Sequence, residues 1–269
     1  MIARNRVETP RLVATDLDGT LVHSDGTITA RTRSVLAELD LRGVPVVFVT
    51  ARPLRWMDDL WQAVGRHGLA VVSNGAILYD VPAREVREVT GIDAEAGMVL
   101  CDAITAAVPG ASFALECLAG FNREPMFPES HHVPEGSRIG PIAELWTEPA
   151  VKLLVRSEAM APDEFRTAVI AAVGDAATPT WSGDWFVEIS APGITKAATL
   201  AKVAAELGVG SEDVVAFGDM PNDLPMLAWA GRSYAVDGAH PDVLAAVSLR
   251  AATAEEDGVA QVLEDLFDL

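Results

Sequence analysis

Short apolar runs alternate with segments of helical periodicity in the first and last thirds of the chain. The segment RLVAT, at residues 11–15, predicts a strand. Residues 29–43 predict a helix that places Val35, Leu36 and Leu39 on one face. Strands that are apolar throughout and separated by helices are typical of a parallel sheet covered on both faces.

The remaining elements outside the middle of the chain follow the same rules. Pro53 suits the first turn of a helix and Gly68 its end, so residues 53–68 predict a second helix. The other segments with regular patterns are strands at 44–50, 69–73, 76–80, 213–218 and 232–236 and helices at 195–208 and 255–269. Together these elements predict an α/β core.

The middle third of the chain has a different composition. It combines helical stretches at 93–108 and 162–174 with strands of alternating polarity, which are SFALECLA, AVKLLVR and DWFVEIS. This pattern indicates an inserted α+β domain. We expect the core to comprise residues 1–82 and 192–269, and the inserted domain to comprise residues 83–191.

Composition excludes several functional classes. The 269 residues carry 39 acidic and 20 basic side chains, and the net charge of −19 argues against a nucleic-acid-binding surface. No apolar run approaches the ~18 residues of a membrane span, and the first residues contain no apolar segment of a signal peptide. Cys101 and Cys117 lack metal-binding spacing, so we expect two reduced thiols in a cytoplasmic protein.

Polar residues follow several of the predicted core strands. Ligands bind beyond the carboxyl ends of the strands in an open α/β sheet. Asp16 and Asp18 follow the first strand in the segment ATDLDGTLV, where two like charges require a positive partner. The other polar side chains expected at this edge are Thr50, Arg52, Lys196, Asp219, Asn222 and Asp223. Each of them alone could be a helix cap or a solvated residue, but four clusters at one edge indicate a site.

Phosphoryl transfer through an aspartate is the chemistry that uses such residues. The carboxylate of Asp16 can attack phosphorus and form an aspartyl-phosphate, which divides one difficult displacement into two. Attack by an anion on a phosphate needs charge neutralisation, which a magnesium ion provides. We expect Asp16 and Asp219 to share this ion with the backbone carbonyl of Asp18. Asp223 either binds a metal-bound water or orients Lys196.

The side chain of Asp18 has a separate task in this scheme. It can protonate the leaving oxygen and then take a proton from the attacking water. Gly19 and Thr20 permit a sharp bend, which lets both aspartates serve one pocket. The groups expected to bind the phosphoryl oxygens are Thr50, Arg52, Lys196 and Asn222.

These residues resemble the motifs of the haloacid dehalogenase superfamily of phosphohydrolases. DLDGTL at 16–21 is similar to the first motif, Thr50 to the second, Lys196 to the third and GDMPNDLPML at 218–227 to the fourth. The long insertion and SNGA at 73–76 resemble the Cof-type subgroup with a type IIB cap. The resemblance implies a Rossmann-like core, a mobile cap and magnesium-dependent hydrolysis of a small phosphorylated metabolite, with sugar phosphates as the leading class.

The chain departs from the Cof-type pattern at two places. Asp237 and Gly238 stand before the Ala-His-Pro stretch, where asparagine is common, and Ala51 stands where glycine is common. The first departure puts one supporting hydrogen bond in question and leaves the catalytic set complete.

The resemblance also implies that the cap determines substrate specificity. The candidates are Arg123, His131 and His132, which can meet an anionic or hydroxylated substrate, and Trp181, which can stack on a sugar ring. The simpler alternatives are that the first three are solvated loop residues and that Trp181 packs within the cap.

Two other functions use the same residue types. A phosphomutase of the phosphomannomutase kind needs the same aspartates, and only the acceptor of the phosphoryl group, water or a second sugar hydroxyl, distinguishes it. A non-catalytic protein that binds a phosphorylated metabolite is the third possibility. The complete set of motif residues argues against it.

Overall fold

The computed structural model describes residues 9–128, 134–183 and 186–269. The strands are β1 Leu12–Thr15, β2 Val46–Val49, β3 Leu69–Val72, β4 Ile77–Asp80, β5 Glu85–Val89, β6 Ser112–Glu116, β7 Phe121–Arg123, β8 Lys152–Arg156, β9 Thr178–Thr180, β10 Val187–Ser190, β11 Val214–Gly218, β12 Arg232–Val236 and β13 Leu249–Ala251. Eight strands form one sheet in the order β13-β12-β11-β1-β2-β3-β4-β5. Five form a second sheet in the order β7-β6-β8-β10-β9.

Helices cover both faces of the larger sheet. The helices are α1 Ala30–Leu41, α2 Ala94–Ala107, α3 Ile142–Leu145, α4 Pro162–Val173, α5 Lys196–Glu206, α6 Leu224–Trp229, α7 Pro241–Ala246 and α8 Gly258–Phe267. Val13 of β1 belongs to the apolar cluster of α1 and α8, whereas Leu12 and Ala14 belong to that of α5 and α6. Alternate residues of a strand point to opposite faces, so β1 is buried between two helix layers.

The prediction of a doubly wound α/β core is confirmed. In the order of the sheet, the six strands from β13 to β3 are parallel to their neighbours. Strands β4 and β5 extend the sheet as antiparallel strands. The strands with a helix crossover need apolar residues on both faces, which is the pattern the sequence shows. Their carboxyl ends lie along one edge of the sheet.

The second sheet forms the inserted α+β cap. All its strand pairs are antiparallel. Helices α2 and α4 cover the face that carries Leu153 and Val155, and together they form a separate apolar cluster. The opposite face of this sheet turns toward the carboxyl ends of the core strands, where Lys152 contacts the carbonyl of Ala51.

The predicted helix over residues 53–68 is wrong. The chain forms two short 3₁₀ turns there, Leu54–Trp56 and Trp61–Ala63. The buried apolar residues of this segment are Met57, Leu60 and Ala63. They recur every third residue, which fits the three residues per turn of a 3₁₀ helix better than 3.6.

Strand β5 belongs to the core sheet although its residues fall within the expected inserted domain. It spans Glu85–Val89 and pairs with β4, beyond the border expected at residue 82. The side chains of β5 are all exposed and three of the five are charged, so the sequence pattern does not reveal that this strand pairs with the core sheet. The return crossing follows β10, which ends at Ser190, near the expected border at 191.

Burial should make both thiols unreactive. Cys101 and Cys117 are free and buried, and burial raises the pKa of each to about 12. At pH 8 about one thiol in 10⁴ is then the reactive thiolate. We expect Ellman's reagent to label the native protein at least ~100-fold more slowly than the urea-unfolded chain. Rapid labelling of two thiols in the native protein would contradict this burial.

In the described part of the chain, no helix is long and apolar enough to cross a membrane.

Candidate active site

The loop after β1 starts with a buried aspartate. The backbone N–H of Asp16 donates to the carbonyl of Phe217 in β11 at 3.0 Å, so Asp16 continues the parallel pairing. The Leu17 carbonyl then accepts three backbone N–H groups of the following turn. Gly19 has a φ of +76°, a conformation that costs glycine little. This bend ends the strand and sends Asp16 and Asp18 toward different partners.

Three carboxylates meet at the floor of the site. One oxygen from each of Asp16, Asp219 and Asp223 lies within 4.8 Å of the others. Lys196, the first residue of α5, donates from Nζ to Asp16 Oδ1 at 2.5 Å and to Asp223 Oδ1 at 2.6 Å. The fold therefore brings four of the predicted site residues together from three separate segments.

Further hydrogen bonds fix the orientation of these carboxylates. Asp223 Oδ2 accepts the backbone N–H groups of Asp219 and Met220, both at 3.0 Å. Thr20 Oγ1 donates to Asp219 Oδ1 at 3.2 Å. Thr20 is expected from the sequence only as part of a bend, whereas its hydroxyl connects the first loop to the fourth motif.

The charge balance of the cluster favours a cation. Burial raises the pKa of Asp16 well above its usual value, while Lys196 acts in the opposite direction. Burial, followed by the charge of Asp223, raises the pKa of Asp219 to about 7. Burial lowers the pKa of Lys196, but Asp16 and Asp223 outweigh it and the pKa lies above its ordinary value. Three carboxylates with one ammonium suit a hard divalent cation, which prefers oxygen ligands.

The side chain of Asp18 lies outside the carboxylate cluster. Arg52 donates from Nε and Nη2 to the two oxygens of Asp18 at 2.8 and 2.6 Å. This planar, two-point pairing is the strongest geometry available to a guanidinium and a carboxylate. The structure thus joins one expected acid–base residue with one expected phosphate-binding residue. Any metal contact of Asp18 would come from its backbone carbonyl.

Thr50 and Asn222 are both hydrogen-bonded to Asn74, which lies in the loop after β3. Thr50 is fully buried, and its Oγ1 accepts the backbone N–H of Arg52 at 2.9 Å. Asn222 donates from Nδ2 to Asn74 Oδ1 at 3.1 Å, and the backbone N–H of Asn74 donates to the Thr50 carbonyl at 3.0 Å. Within the described residues, the buried Oδ1 of Asn222 has no hydrogen-bond partner. It remains available to a ligand.

Asn74 is not among the site residues expected from the sequence. With Gly75 it forms the turn between the strands predicted at 69–73 and 76–80, with a φ of +56° at Asn74. The rule that selected Thr50, a polar residue directly after a buried parallel strand, applies equally to the residues after β3. Applied there, it would have indicated Asn74.

A cavity of about 650 Å³ opens above the carboxylates. Its floor contains Asp16, Asp18, Arg52, Lys196, Asp219 and Asn222. The residues of its wall that sequence reasoning did not indicate are Trp56, Ser182, Gly183, Phe186 and Met220. Trp56 was not predicted to line the site because residues 53–68 were expected to form a core helix. No sequence motif identifies the cap residues that line the cavity.

The two cap candidates within the described residues, Arg123 and Trp181, do not line this cavity. Arg123 is buried in β7, opposite Ala114 of β6, and donates from Nη1 to the Phe127 carbonyl at 2.9 Å. It is neither a solvated loop residue nor part of the cavity wall, because its strand pairs at the edge of the cap sheet. The Arg166 guanidinium lies 5.6 Å from the Trp181 ring, beside the cavity residue Ser182. His131 and His132 lie outside the described residues.

Gly19 offers a test of how tightly the carboxylate cluster is packed. A Cβ at this position would lie 2.4 Å from Asp219 Oδ2, so Gly19→Ala should displace that carboxylate. We expect magnesium affinity, measured by calorimetric titration, to fall ~10- to 100-fold. Gly43→Ala is the matched control, since its φ of +74° carries the same strain but open space surrounds it. Equal affinity in the two variants would mean that Asp219 does not hold the cation.

Known proteins are similar to this chain in sequence over nearly its full length. Residues 13–263 match the family described as haloacid dehalogenase-like hydrolase. The 5-amino-6-(5-phospho-D-ribitylamino)uracil phosphatase YitU of Bacillus subtilis is 28% identical over 280 residues, covering 97% of this chain and 98% of its own. The phosphoglycolate phosphatase of Halorubrum lacusprofundi is 27% identical over 256 residues, covering 94% and 96%.

Solved structures share the same fold over nearly the full length. The sugar phosphatase BT4131, described as a member of subclass IIB, superposes with a TM-score of 0.80 at 19% identity. The match covers 96% of this chain and all of that one. The chain therefore belongs to the haloacid dehalogenase-like hydrolase family and is a phosphomonoesterase.

Proposed function

We propose that the protein is a magnesium-dependent phosphatase that hydrolyses a small sugar phosphate through an aspartyl-phosphate at Asp16. The observation that carries this proposal is the buried group of Asp16, Asp219 and Asp223 around Lys196 at the floor of the cavity. The ammonium reduces the repulsion between an attacking carboxylate and an anionic phosphate. A cytoplasmic location, favoured by two unbridged cysteines, is part of the proposal.

The reaction proceeds in two displacements. In the first, Asp16 attacks phosphorus, the ester P–O bond breaks, and the Asp18 carboxyl group gives its proton to the leaving oxygen. In the second, Asp18 takes a proton from water, whose oxygen attacks phosphorus and breaks the bond to Asp16. The products are the alcohol and phosphate, and the Asp16 carboxylate and the protonated Asp18 carboxyl group are regenerated.

The phosphate-binding residues act before the first displacement. Arg52 exchanges its pairing with Asp18 for the phosphoryl group, which frees Asp18 to carry a proton. Thr50 Oγ1 accepts one backbone N–H, so its own proton is left for a phosphoryl oxygen. Lys196 and Asn222 complete the binding groups, Lys196 by charge and Asn222 by a side chain that lines the cavity.

Magnesium fits the donor set of this site. Asp16 and Asp219, with the backbone carbonyl of Asp18, are the expected ligands, and Asp223 lies beside them. Hard carboxylate and carbonyl oxygens are what this ion selects. When bound, it would neutralise the charge of the phosphoryl group.

The cavity supports a substrate with a compact, partly apolar body. Trp56, Phe186 and Met220 line the cavity, and aromatic side chains pack well against the apolar face of a sugar ring. Relatives that act on a phosphorylated ribitylamino-uracil and on phosphoglycolate support a small phosphate monoester as the substrate. A panel of phosphate esters assayed with magnesium tests this proposal. Labelled phosphate released to water supports hydrolysis, whereas transfer to a second sugar hydroxyl would identify a mutase.

The nucleophile can be tested by one substitution. Asp16→Asn keeps the shape of the side chain but replaces the carboxylate with a poor nucleophile, so turnover should fall at least ~10³-fold. Asp163→Asn is the control, because that carboxylate is 95% exposed in the cap. Initial rates with magnesium and a circular dichroism spectrum of each variant provide the measurement. Near-normal hydrolysis by Asp16→Asn would exclude the aspartyl-phosphate.

Calcium should not replace magnesium. Calcium takes more ligands at longer distances than magnesium, so it can engage the second oxygen of Asp16 and misplace the nucleophile. We expect calcium to bind and to inhibit the magnesium-supported reaction. Rates and calorimetric affinities measured with each ion separate binding from catalysis, and equal rates with both ions would refute this account of Asp16.

A further inference from the structure

Three charged side chains are buried on the face of the cap sheet that meets the core. They are Glu116 in β6, Lys152 in β8 and Glu188 in β10, with exposed fractions of 4%, 4% and 3%. Lys152 lies directly opposite Glu116, and Glu188 lies opposite Leu154, two residues further along β8. Residues opposite each other, and residues two apart in a strand, share one face. We call these three residues the docking row.

Each member of the docking row binds a different group of the core. Lys152 Nζ donates to the carbonyl of Ala51 at 2.6 Å and also to Glu188 Oε1. Asn74 Nδ2 donates to Glu188 Oε2 at 2.9 Å. Arg55 donates to the two oxygens of Glu116 from Nε and Nη2, both at 2.8 Å. Charged cap residues therefore make specific contacts with two core loops.

Asn74 also forms hydrogen bonds with two residues of the candidate active site. Its side chain accepts from Asn222 Nδ2 at 3.1 Å, and its backbone N–H donates to the Thr50 carbonyl at 3.0 Å. Ala51, the partner of Lys152, directly follows Thr50. Asn74 thus connects the Lys152–Glu188 pair to two residues that the proposed phosphatase reaction uses to bind phosphate, to Asn222 through its side-chain amide and to Thr50 through its backbone N–H.

The energetics make a purely structural role a poor explanation for the pair. Desolvating an ammonium and a carboxylate offsets most of their attraction, and apolar residues of similar size are often as stabilising. An apolar pair, however, could not bind the Ala51 carbonyl or hold the Asn74 amide. The charges would regain water if the cap moved away, so they favour docking only when their core partners are correctly placed.

We propose that Lys152 and Glu188 are positioning residues that couple docking of the cap to the geometry of the phosphate-binding loops. This inference rests on the proposed phosphatase function. With the pair in place, Asn74 holds Asn222 and the Thr50 loop in their catalytic positions. The effect acts on the phosphoryl group, which all substrates share, so it is independent of the leaving group. A residue that merely contacts the leaving group would affect large substrates and spare small ones.

The main test replaces the pair with apolar residues. The double variant Lys152→Met/Glu188→Leu retains the bulk of both side chains, and we expect its melting temperature to stay within a few degrees of the wild type. Its kcat should fall ~10- to 100-fold, the cost of a small misplacement, for p-nitrophenyl phosphate and for sugar phosphates alike. The value of kcat/KM for all substrates should fall by a similar factor.

Matched controls and a core variant complete the design. Lys202→Met and Glu158→Gln remove exposed charges, with 54% and 78% of each side chain accessible, and should leave kcat unchanged. Asn74→Ala removes the connecting amide while retaining both cap charges, and should reproduce the loss of kcat. Combining Asn74→Ala with the double variant should cause little further loss, because all three residues act through one contact.

The outcomes separate this inference from the proposed function. Absence of phosphatase activity in the wild type would refute the function itself. An active wild type together with a folded double variant of equal kcat, or with a change in KM alone, would overturn the positioning role. If the double variant does not fold, Asn74→Ala decides, and a normal kcat in that variant overturns the proposal. Magnesium affinity should be unchanged in every variant, because the carboxylate cluster lies wholly in the core.

Discussion

The ammonium of Lys196 is the interaction on which the site depends. Two unit charges 4 Å apart interact with about 4 kcal/mol at the effective dielectric constant of a protein, so three adjacent buried carboxylates would repel one another strongly. Lys196 bonds to two of them, Asp16 and Asp223. Three carboxylates and one ammonium leave two negative charges in excess, and burial followed by the charge of Asp223 raises the pKa of Asp219 to about 7. The same excess of negative charge makes the site receptive to a cation.

The two domains are organised around different forces. The core sheet has apolar clusters on both faces, and the cap has a separate cluster beneath its helices. Contacts between the two include charges and amides, such as the pairs of Glu116 with Arg55 and of Glu188 with Asn74, and the cap residue Val151, which packs in a core cluster. Apolar burial stabilises the interior of each domain, and the directional polar contacts constrain how the cap sits on the core.

The core and its motif residues could be predicted from sequence because both follow local rules. Apolar strands alternate with helices of clear periodicity, and polar residues at strand ends meet at one edge of the sheet whatever the loops do. The 3₁₀ turns around Met57 and the pairing of β5 depend on spacing and partners that no local window reveals. Lys152 and Glu188 sit within strands that were predicted, yet their burial depends on a neighbouring domain. Nor could the pairing of Asp18 with Arg52 be read from two residues that are distant in sequence.

The distribution of lysines has a practical consequence for handling the protein. The chain contains three lysines, and two of them, Lys152 and Lys196, are almost completely buried in ion pairs. Lys202, on helix α5, has a side chain that is 54% exposed. Amine-directed chemistry on lysine side chains would therefore attach a dye or a solid support at one point on the core. Molecules immobilised through that residue would share one orientation, with the ammonium groups of the site and of the docking row protected by the fold.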